Sequence, residues 1–223
     1  MLDLVFPVLC LGCGAEGLYL CSRCARALKR DEFQLCPICG SKAPFGTTHP
    51  TCKTEFGLDG LLSAVPYKEP LARKLVETCK YKFVRDIAPI LAQIMYEELL
   101  NQELSAYFKN WILIPLPLHG TRLKWRGFNQ SELIAKKFSE LSGIKLETNL
   151  LARKKKTKVQ AELQDEERKI NVQDAFVALT NLKNKNIVII DDVSTTRSTL
   201  TQACKALKSA GAEEVWGLVF AQG

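Results

Sequence analysis

Three Cys-x-x-Cys pairs crowd the first part of the chain, Cys10 with Cys13, Cys21 with Cys24 and Cys36 with Cys39, and His49-x-x-Cys52 follows them. Eight metal-binding donors in so short a stretch leave few ways to fold it. Each pair can form a tight knuckle whose two donor atoms reach one ion, and two knuckles complete a tetrahedral zinc site. Gly12, Gly14 and Gly40 supply the permissive backbone that such knuckles need. The spacing favours two sequential sites, with Cys10, Cys13, Cys21 and Cys24 in one and Cys36, Cys39, His49 and Cys52 in the other; a cross-braced pairing is the alternative. The stretch carries few large apolar groups, so two structural zinc ions are expected to supply most of its folding free energy. Four protein ligands apiece leave no open coordination position, which argues against zinc hydrolysis. A disulfide framework is the competing use of paired cysteines and needs an oxidising compartment. The opening MLDLVFPVLC lacks the basic region of a secretory signal, so a reducing, cytoplasmic location is expected. Cys79 and Cys204 stand apart in helix-like contexts and read as small buried hydrophobes.

Beyond Gly57 the knuckles give way to long periodic segments, and the boundary is placed at Gly60, between a small module (residues 1–59) and a larger domain (residues 60–223). The chain has 223 residues, 47% of them hydrophobic and 25% charged, which suits one ordinary core; no apolar run is long enough to span a membrane, so no membrane insertion is expected. Residues 71–103 read as two helices, parted between Lys80 and Asp86 and by Pro89. Trp111 to Leu116 reads as a buried strand, and Asn129 to Leu141 as an amphipathic helix. The apolar run Ile187 to Ile190 fits a central parallel strand that ends at Asp191 and Asp192. Thr199 to Ala210 is then a helix closed by Gly211, and Val215 to Phe220 the next strand. Strand, helix and strand in that order make a βαβ unit. The fold class expected is therefore α/β: an open, mainly parallel sheet with helices on both faces and ligands beyond the carboxyl ends of its strands.

Charge is distributed unevenly. Residues 1–60 balance six Lys/Arg against six Asp/Glu, so the net charge of +7 belongs to the rest, and segment 118–158 holds eleven basic and three acidic residues. A polyanion or a ligand with several phosphates suits such a surface. The stretch IVIIDDVSTTRSTL carries the most chemistry. Two carboxylates at a strand end can accept hydrogen bonds from a vicinal diol. The backbone and hydroxyls of Thr195, Thr196, Ser198 and Thr199 can cradle a phosphate at the positive end of a helix. Diol beside phosphate describes a ribose 5-phosphate. A plain helix cap would account for Ser194 or Thr195 but not for two acids after an apolar strand.

This segment resembles the phosphoribosyl-pyrophosphate signature of the type I phosphoribosyltransferases, Asp-Asp-x-x-Thr-Thr-Gly-x-Thr. Upstream, Tyr67, Lys80-Tyr81, Ile114-Pro-Leu-Pro-Leu-His119, Arg122 and Arg126-Gly-Phe-Asn-Gln130 precede Thr157-x-x-Gln160-Ala-Glu-Leu163, Arg168, Asn171 and Ala175-Phe176. Together with the cysteine module, these are similar to the successive motifs of the ComF-type competence family. The resemblance implies a double zinc ribbon joined to a type I phosphoribosyltransferase domain that binds phosphoribosyl pyrophosphate with magnesium. It also implies a role in natural transformation on imported single-stranded DNA. Asp191 and Asp192 would hold the ribose hydroxyls as the catalytic pair, and Thr195, Thr196, Arg197, Ser198 and Thr199 the 5-phosphate. Arg122, Arg126 and Lys80 would face the leaving pyrophosphate. Arg197 stands where the signature has glycine, so its side chain either obstructs the phosphate or folds over it. Lys124, Trp125, Lys154, Lys155 and Lys156 are the DNA candidates, with Phe128 also able to stack on bases. Residues 152–168 read as a lid or ligand contact. Three functions compete: a DNA-handling protein that keeps the fold to bind phosphoribosyl pyrophosphate or a related nucleotide, or single strands, a phosphoribosyltransferase of nucleotide metabolism without a DNA role, and a zinc-stabilised adaptor for other competence proteins.

Overall fold

A computed structural model of the protein describes residues 7–154, 175–195 and 198–223. Among these, five strands form a parallel sheet in the order β1-β7-β6-β2-β3. They are β1 (Gly60–Pro66), β2 (Ile112–Pro115), β3 (Lys145–Leu146), β6 (Asn186–Ser194) and β7 (Glu214–Gln222). A separate antiparallel pair joins β4 (Leu151–Arg153) to β5 (Phe176–Ala178). The expected strands at Ile112, Ile187 and Val215 are present, as are the helices α2 (Pro70–Tyr81), α3 (Ile87–Asn101), α6 (Gln130–Ser142) and α7 (Ser198–Ser209). The short helices α1 (Ser22–Ala27), α4 (Ser105–Phe108) and α5 (Gly120–Arg126) complete the set.

Continuous apolar runs mark strands buried on both faces, and their side chains alternate between two cores. On one face Val188, Ile190, Leu218 and Phe220 pack with Leu75 of α2, Leu91 and Met95 of α3, and Phe138 of α6. On the other, Ile187, Ile189, Val215 and Val219 meet Leu200, Ala203, Cys204 and Leu207 of α7. Cys79 and Cys204 are buried in these cores, and burial pushes both thiols up to about 12, so they stay protonated. Pro89 does not break α3, because it lies in the helix's first turn, where its missing N–H has no partner to lose. The break falls at residues 82–86, and Phe83 there takes a left-handed φ of 59°.

The cysteine module is clamped to the edge of the sheet. Gln34 donates to the Ser63 carbonyl (2.9 Å) and accepts from the Ser63 amide (3.0 Å), so its side-chain amide supplies the partners that a further strand would give β1. The same amide donates to Glu98 on α3 (3.1 Å), Arg30 pairs with Glu97 (2.6 Å), and Lys74 of α2 donates to the Leu11 carbonyl (2.8 Å). Among the described residues no helix is long and apolar enough to cross a membrane.

Candidate functional site

Sheet order decides where a ligand can enter. From β2 the chain moves outward to β3, whereas from β6 it moves the other way to β7, so the two crossovers diverge between β2 and β6. Such a switch opens a crevice beyond the carboxyl ends of the strands. A cavity of about 500 Å³ lies there, lined by Lys80, Arg122, Arg126, Arg153, Asp191 and Asp192 together with Tyr81, Trp125, Gln130, Ser131 and Thr199.

The segment Arg126-Gly-Phe-Asn-Gln-Ser131 builds one wall. Gly127 closes α5 with a left-handed φ of 77°, a conformation that resists a side chain. Asn129 then caps α6 by accepting from the Ser131 amide (3.2 Å), while its own amide donates to the Leu116 carbonyl (3.1 Å) and fastens the helix start to the end of β2. Buried Arg126, the last residue of α5, donates to Gln130, the first residue of α6, and its Nε has no partner among the described residues. Ser131 donates its hydroxyl to Asp191 Oδ1 (2.8 Å). Phe128 is buried beneath the Arg85 guanidinium, 5.1 Å from the ring centre, which corrects the expectation that it stacks on bases.

The two acids do not terminate β6. The strand runs on to Ser194, with Asp191 opposite Val219 and Val193 opposite Ala221, because β7 offers pairing partners that far. Asp192 is 1% exposed and takes an ion pair from Lys80, at the last turn of α2, at 2.8 Å. Its second oxygen, Oδ2, is buried without a partner among the described residues. A buried acceptor of this kind costs about 1–3 kcal/mol unless something donates to it. Asp191 is pushed up to about 7 by burial and by the charge of Asp192, against the opposing pull of Lys80 and the Ser131 hydroxyl. Burial works against the Lys80 cation, yet the two acids raise it above its ordinary range. Across the cavity, burial and the neighbouring Arg122 lower Arg153, whereas Asp191 draws it up. Two guanidinium groups that repel one another over an open space are relieved by an anion set between them.

Of the residues singled out from sequence, Lys80, Arg122, Trp125, Arg126, Asp191, Asp192 and Thr199 share the cavity. Thr195 and Ser198 are exposed where β6 passes into α7. Lys124 and Lys154 are exposed outside the cavity lining. Thr196, Arg197, Lys155 and Lys156 lie outside the described residues, as do Thr157, Gln160, Arg168 and Asn171 and most of the segment read as a lid. Sequence reasoning missed Ser131 and Gln130 as site builders, although the motif that ends at Gln130 pointed to their neighbourhood. The β4–β5 pair also brings Arg153 to the cavity.

In the cysteine module the donors gather in two sequential groups, Cys10, Cys13, Cys21, Cys24 and Cys36, Cys39, His49, Cys52, each with all donor atoms within 4.8 Å of one another. The first and third knuckles repeat one turn: the amide of Gly14 donates to the Cys10 carbonyl (2.9 Å) and that of Gly40 to the Cys36 carbonyl (3.0 Å). Both glycines take left-handed φ, 76° and 74°. His49 turns Nδ1 towards Cys39 Sγ (3.4 Å) and sets Nε2 3.1 Å from the Lys42 carbonyl, so the outer nitrogen donates and the inner one is left as a ligand. The donor set and its support fit structural zinc.

Comparison with known proteins agrees with both halves. A double zinc ribbon domain family matches residues 1–54, and a phosphoribosyl transferase domain family matches residues 99–222. Competence protein F of Haemophilus influenzae is 32% identical over 91% of this chain and 90% of its own length. The chain belongs to the competence protein F family. Other relatives include the DNA utilization protein YhgH of Salmonella typhimurium, 32% identical over 89% of each chain. Competence protein ComFC of Bacillus subtilis is 27% identical over 86% of this chain and 79% of its own. In this member of the competence protein F family the larger domain has the phosphoribosyl transferase fold, and the β2–β6 crevice is its candidate ligand site.

Proposed function

We propose that the protein binds a phosphorylated ribose of the phosphoribosyl-pyrophosphate type, with magnesium, in the β2–β6 cavity and serves the handling of imported single-stranded DNA. The observation that carries the first part is the acid pair: Asp191 and Asp192 side by side in a cavity lined by Lys80, Arg122, Arg126 and Arg153, with one carboxylate oxygen buried and without a partner among the described residues. The ribose 2- and 3-hydroxyls are the donors that such a pair lacks. With the sugar so placed, the start of α7, with Ser198 and Thr199, receives the 5-phosphate, and Arg122 and Arg153 receive the pyrophosphate. Lys80 keeps its ion pair with Asp192 on the side away from the sugar's oxygens, so the carboxylate stays fixed in place. Two carboxylates are too few for a protein cage around magnesium. Magnesium would be held mainly by the ligand, with Asp191 and Asp192 as its protein partners, and would supply charge neutralisation for the pyrophosphate.

If transfer follows, the fixed carboxylates favour the positive charge that develops at the anomeric centre, and Arg122 and Arg153 favour the negative charge on the departing pyrophosphate. The DNA role rests on relatives whose names record competence and DNA utilization and on exposed Lys124, Trp125 and Lys154 close to the cavity mouth. The second reading, a transferase of nucleotide metabolism without a DNA role, draws on the small, polar, partly enclosed character of the cavity. We assign residues 1–59 to a ribbon holding two structural zinc ions and residues 60–223 to the ligand-binding domain.

Calorimetry with phosphoribosyl pyrophosphate and magnesium tests the site. Saturable binding is expected, and Asp191→Asn with Asp192→Asn abolishes it. The absence of heat from the native protein overturns the reading. For the DNA role, a labelled single strand should bind with a steep salt dependence that Lys124→Glu with Lys154→Glu flattens.

A further inference from the structure

A second cavity, of about 330 Å³, lies where the ribbon meets the carboxyl ends of β1 and β7, and it shares no lining residue with the β2–β6 crevice. Its volume falls at the low end of ordinary small-molecule sites. Both halves of the chain build it. Asp31, Phe33 and Leu35 come from the ribbon, Pro66 ends β1, Lys68 follows it, and Gln222 ends β7. The Asp31 amide donates to the Ala64 carbonyl (3.4 Å), and Gln34 holds both backbone groups of Ser63, so the ribbon segment is fastened to β1 at two points. Gln34 turns to that strand, while Phe33 and Leu35 on either side of it line the cavity. The opposite wall is fixed by the ladder, since Pro66 pairs with Gln222 and the Tyr67 amide donates to the Gln222 carbonyl (2.7 Å). The carboxyl ends of parallel strands are where such a sheet takes ligands.

The lining is largely apolar, and Phe33 is left 52% exposed. One carboxylate and one ammonium group stand in it without neutralising each other: among the described residues no ion pair engages Asp31 or Lys68. Other cations nearby are already committed. Arg30 is bound to Glu97 (2.6 Å) and to the Ile94 carbonyl (3.2 Å), and Lys42 lies over the Phe33 ring, 3.2 Å from its centre. Burial pushes the Asp31 carboxyl up to about 6; the charge of Glu98 adds to the rise, while the Ser63 hydroxyl and Lys68 oppose it. A carboxylate in that position gains from an ammonium group brought against it. A lone cation would leave Lys68 unanswered, and a phosphate or a dicarboxylate would set like charge against Asp31. A small molecule with one charge of each sign and an apolar remainder answers every wall.

We propose that this cavity binds a free α-amino acid with an apolar side chain, its ammonium group donating to Asp31, its carboxylate accepting from Lys68 and its side chain packing against Phe33, Leu35 and Pro66. The site stands apart from the acid pair at Asp191 and Asp192 and does not depend on the sugar-phosphate reading. Its two polar contacts differ in strength. Asp31 is partly buried, so its bond to an ammonium group is charge-assisted and poorly screened, whereas Lys68 is exposed and its contact with a carboxylate is weakened by water.

Calorimetry of the full chain with leucine tests the site, with N-acetyl-leucine, leucinamide and glycine as comparison ligands. Leucine should bind saturably. N-acetyl-leucine, which lacks the positive charge, should bind about 10-fold more weakly, and leucinamide, which lacks the carboxylate, about 3-fold more weakly. Glycine keeps both charges without the side chain and should lose at least about 10-fold. Asp31→Asn should abolish the discrimination against N-acetyl-leucine, and Lys68→Met the discrimination against leucinamide. Lys68→Met alters an exposed side chain, so it keeps the test open should Asp31→Asn disturb the ribbon. Absence of saturable binding by leucine, equal affinities for leucine and glycine, or a discrimination that its matching variant leaves intact overturns the proposal. Tighter binding of leucinamide than of leucine overturns it as well, because the cavity would then take a plain amine.

Discussion

Lys80→Met should destabilise the folded protein in a pH-dependent way. Lys80 is the ion-pair partner of Asp192, at 2.8 Å, and the two side chains are 19% and 2% exposed. Removing one member of a buried pair strands the other charge, which costs about 3–5 kcal/mol, and the partial exposure of Lys80 puts the expected loss near the lower figure. The methionine keeps the volume of the side-chain stem, so the loss reports charge and not a cavity. Lys80 also holds Asp191 down, and without it the acid pair retains a proton to higher pH. The unfolded chain has released that proton by about pH 4. Between there and the raised value the folded state binds the extra proton, so stability falls as pH rises and the deficit is greatest in alkali. Urea unfolding of native and variant protein at pH 5.5 and pH 8 measures it. A loss of about 3 kcal/mol at pH 8 that shrinks to roughly 1 kcal/mol at pH 5.5 is expected. Equal losses at both pH values, or less than about 1 kcal/mol at either, would refute the reasoning.

Four further outcomes follow from the geometry. Asp191 titrates at about 7, so affinity for a magnesium-loaded phosphoribosyl ligand should climb by up to tenfold per pH unit below that value and level off above it. Ser131→Ala removes a hydrogen bond to the carboxylate and should move the bend in that curve upward; a bend that stays in place counts against the Ser131 contact. Gln34→Leu unpairs both backbone groups of Ser63 and should cost about 2–4 kcal/mol in urea unfolding. A loss near zero would mean that the ribbon does not protect the β1 edge. Elemental analysis should return two zinc ions per chain, one for each donor group, and chelation should unfold the ribbon; one ion per chain would overturn the pairing of ligands.

The parts of the fold that sequence exposed are those whose own residues decide them. The run Ile187 to Ile190, buried on both faces, could hardly be anything but a central strand, and Asn129 and Gly143 bracket α6 with a capping side chain and a left-handed closure. β1 was missed, although Gly60 to Pro66 is almost wholly buried, because it follows the ribbon directly and is defined by pairing with a strand 150 or so residues later. β3, two residues long, has no local signature and exists because β2 offers an edge. The acids were recognised but their setting was not: Asp191 and Asp192 sit within the ladder because β7 extends beside them. Tertiary placement also decided the roles of Arg153 and Ser131. Nothing in a short segment such as Leu151–Arg153 announces that its pairing with β5 turns an arginine towards two distant carboxylates.

The central claim is that a phosphorylated sugar seats on the acid pair at the β2–β6 crevice. Diffraction from crystals soaked with phosphoribosyl pyrophosphate and magnesium tests it most directly. The account predicts ligand density over β6 with the ribose hydroxyls donating to Asp191 and Asp192, the 5-phosphate at the start of α7, and the pyrophosphate between Arg122 and Arg153. Density that binds elsewhere on the surface, while the Lys80–Asp192 pair stands untouched in a cavity filled only by solvent at saturating ligand, would contradict it.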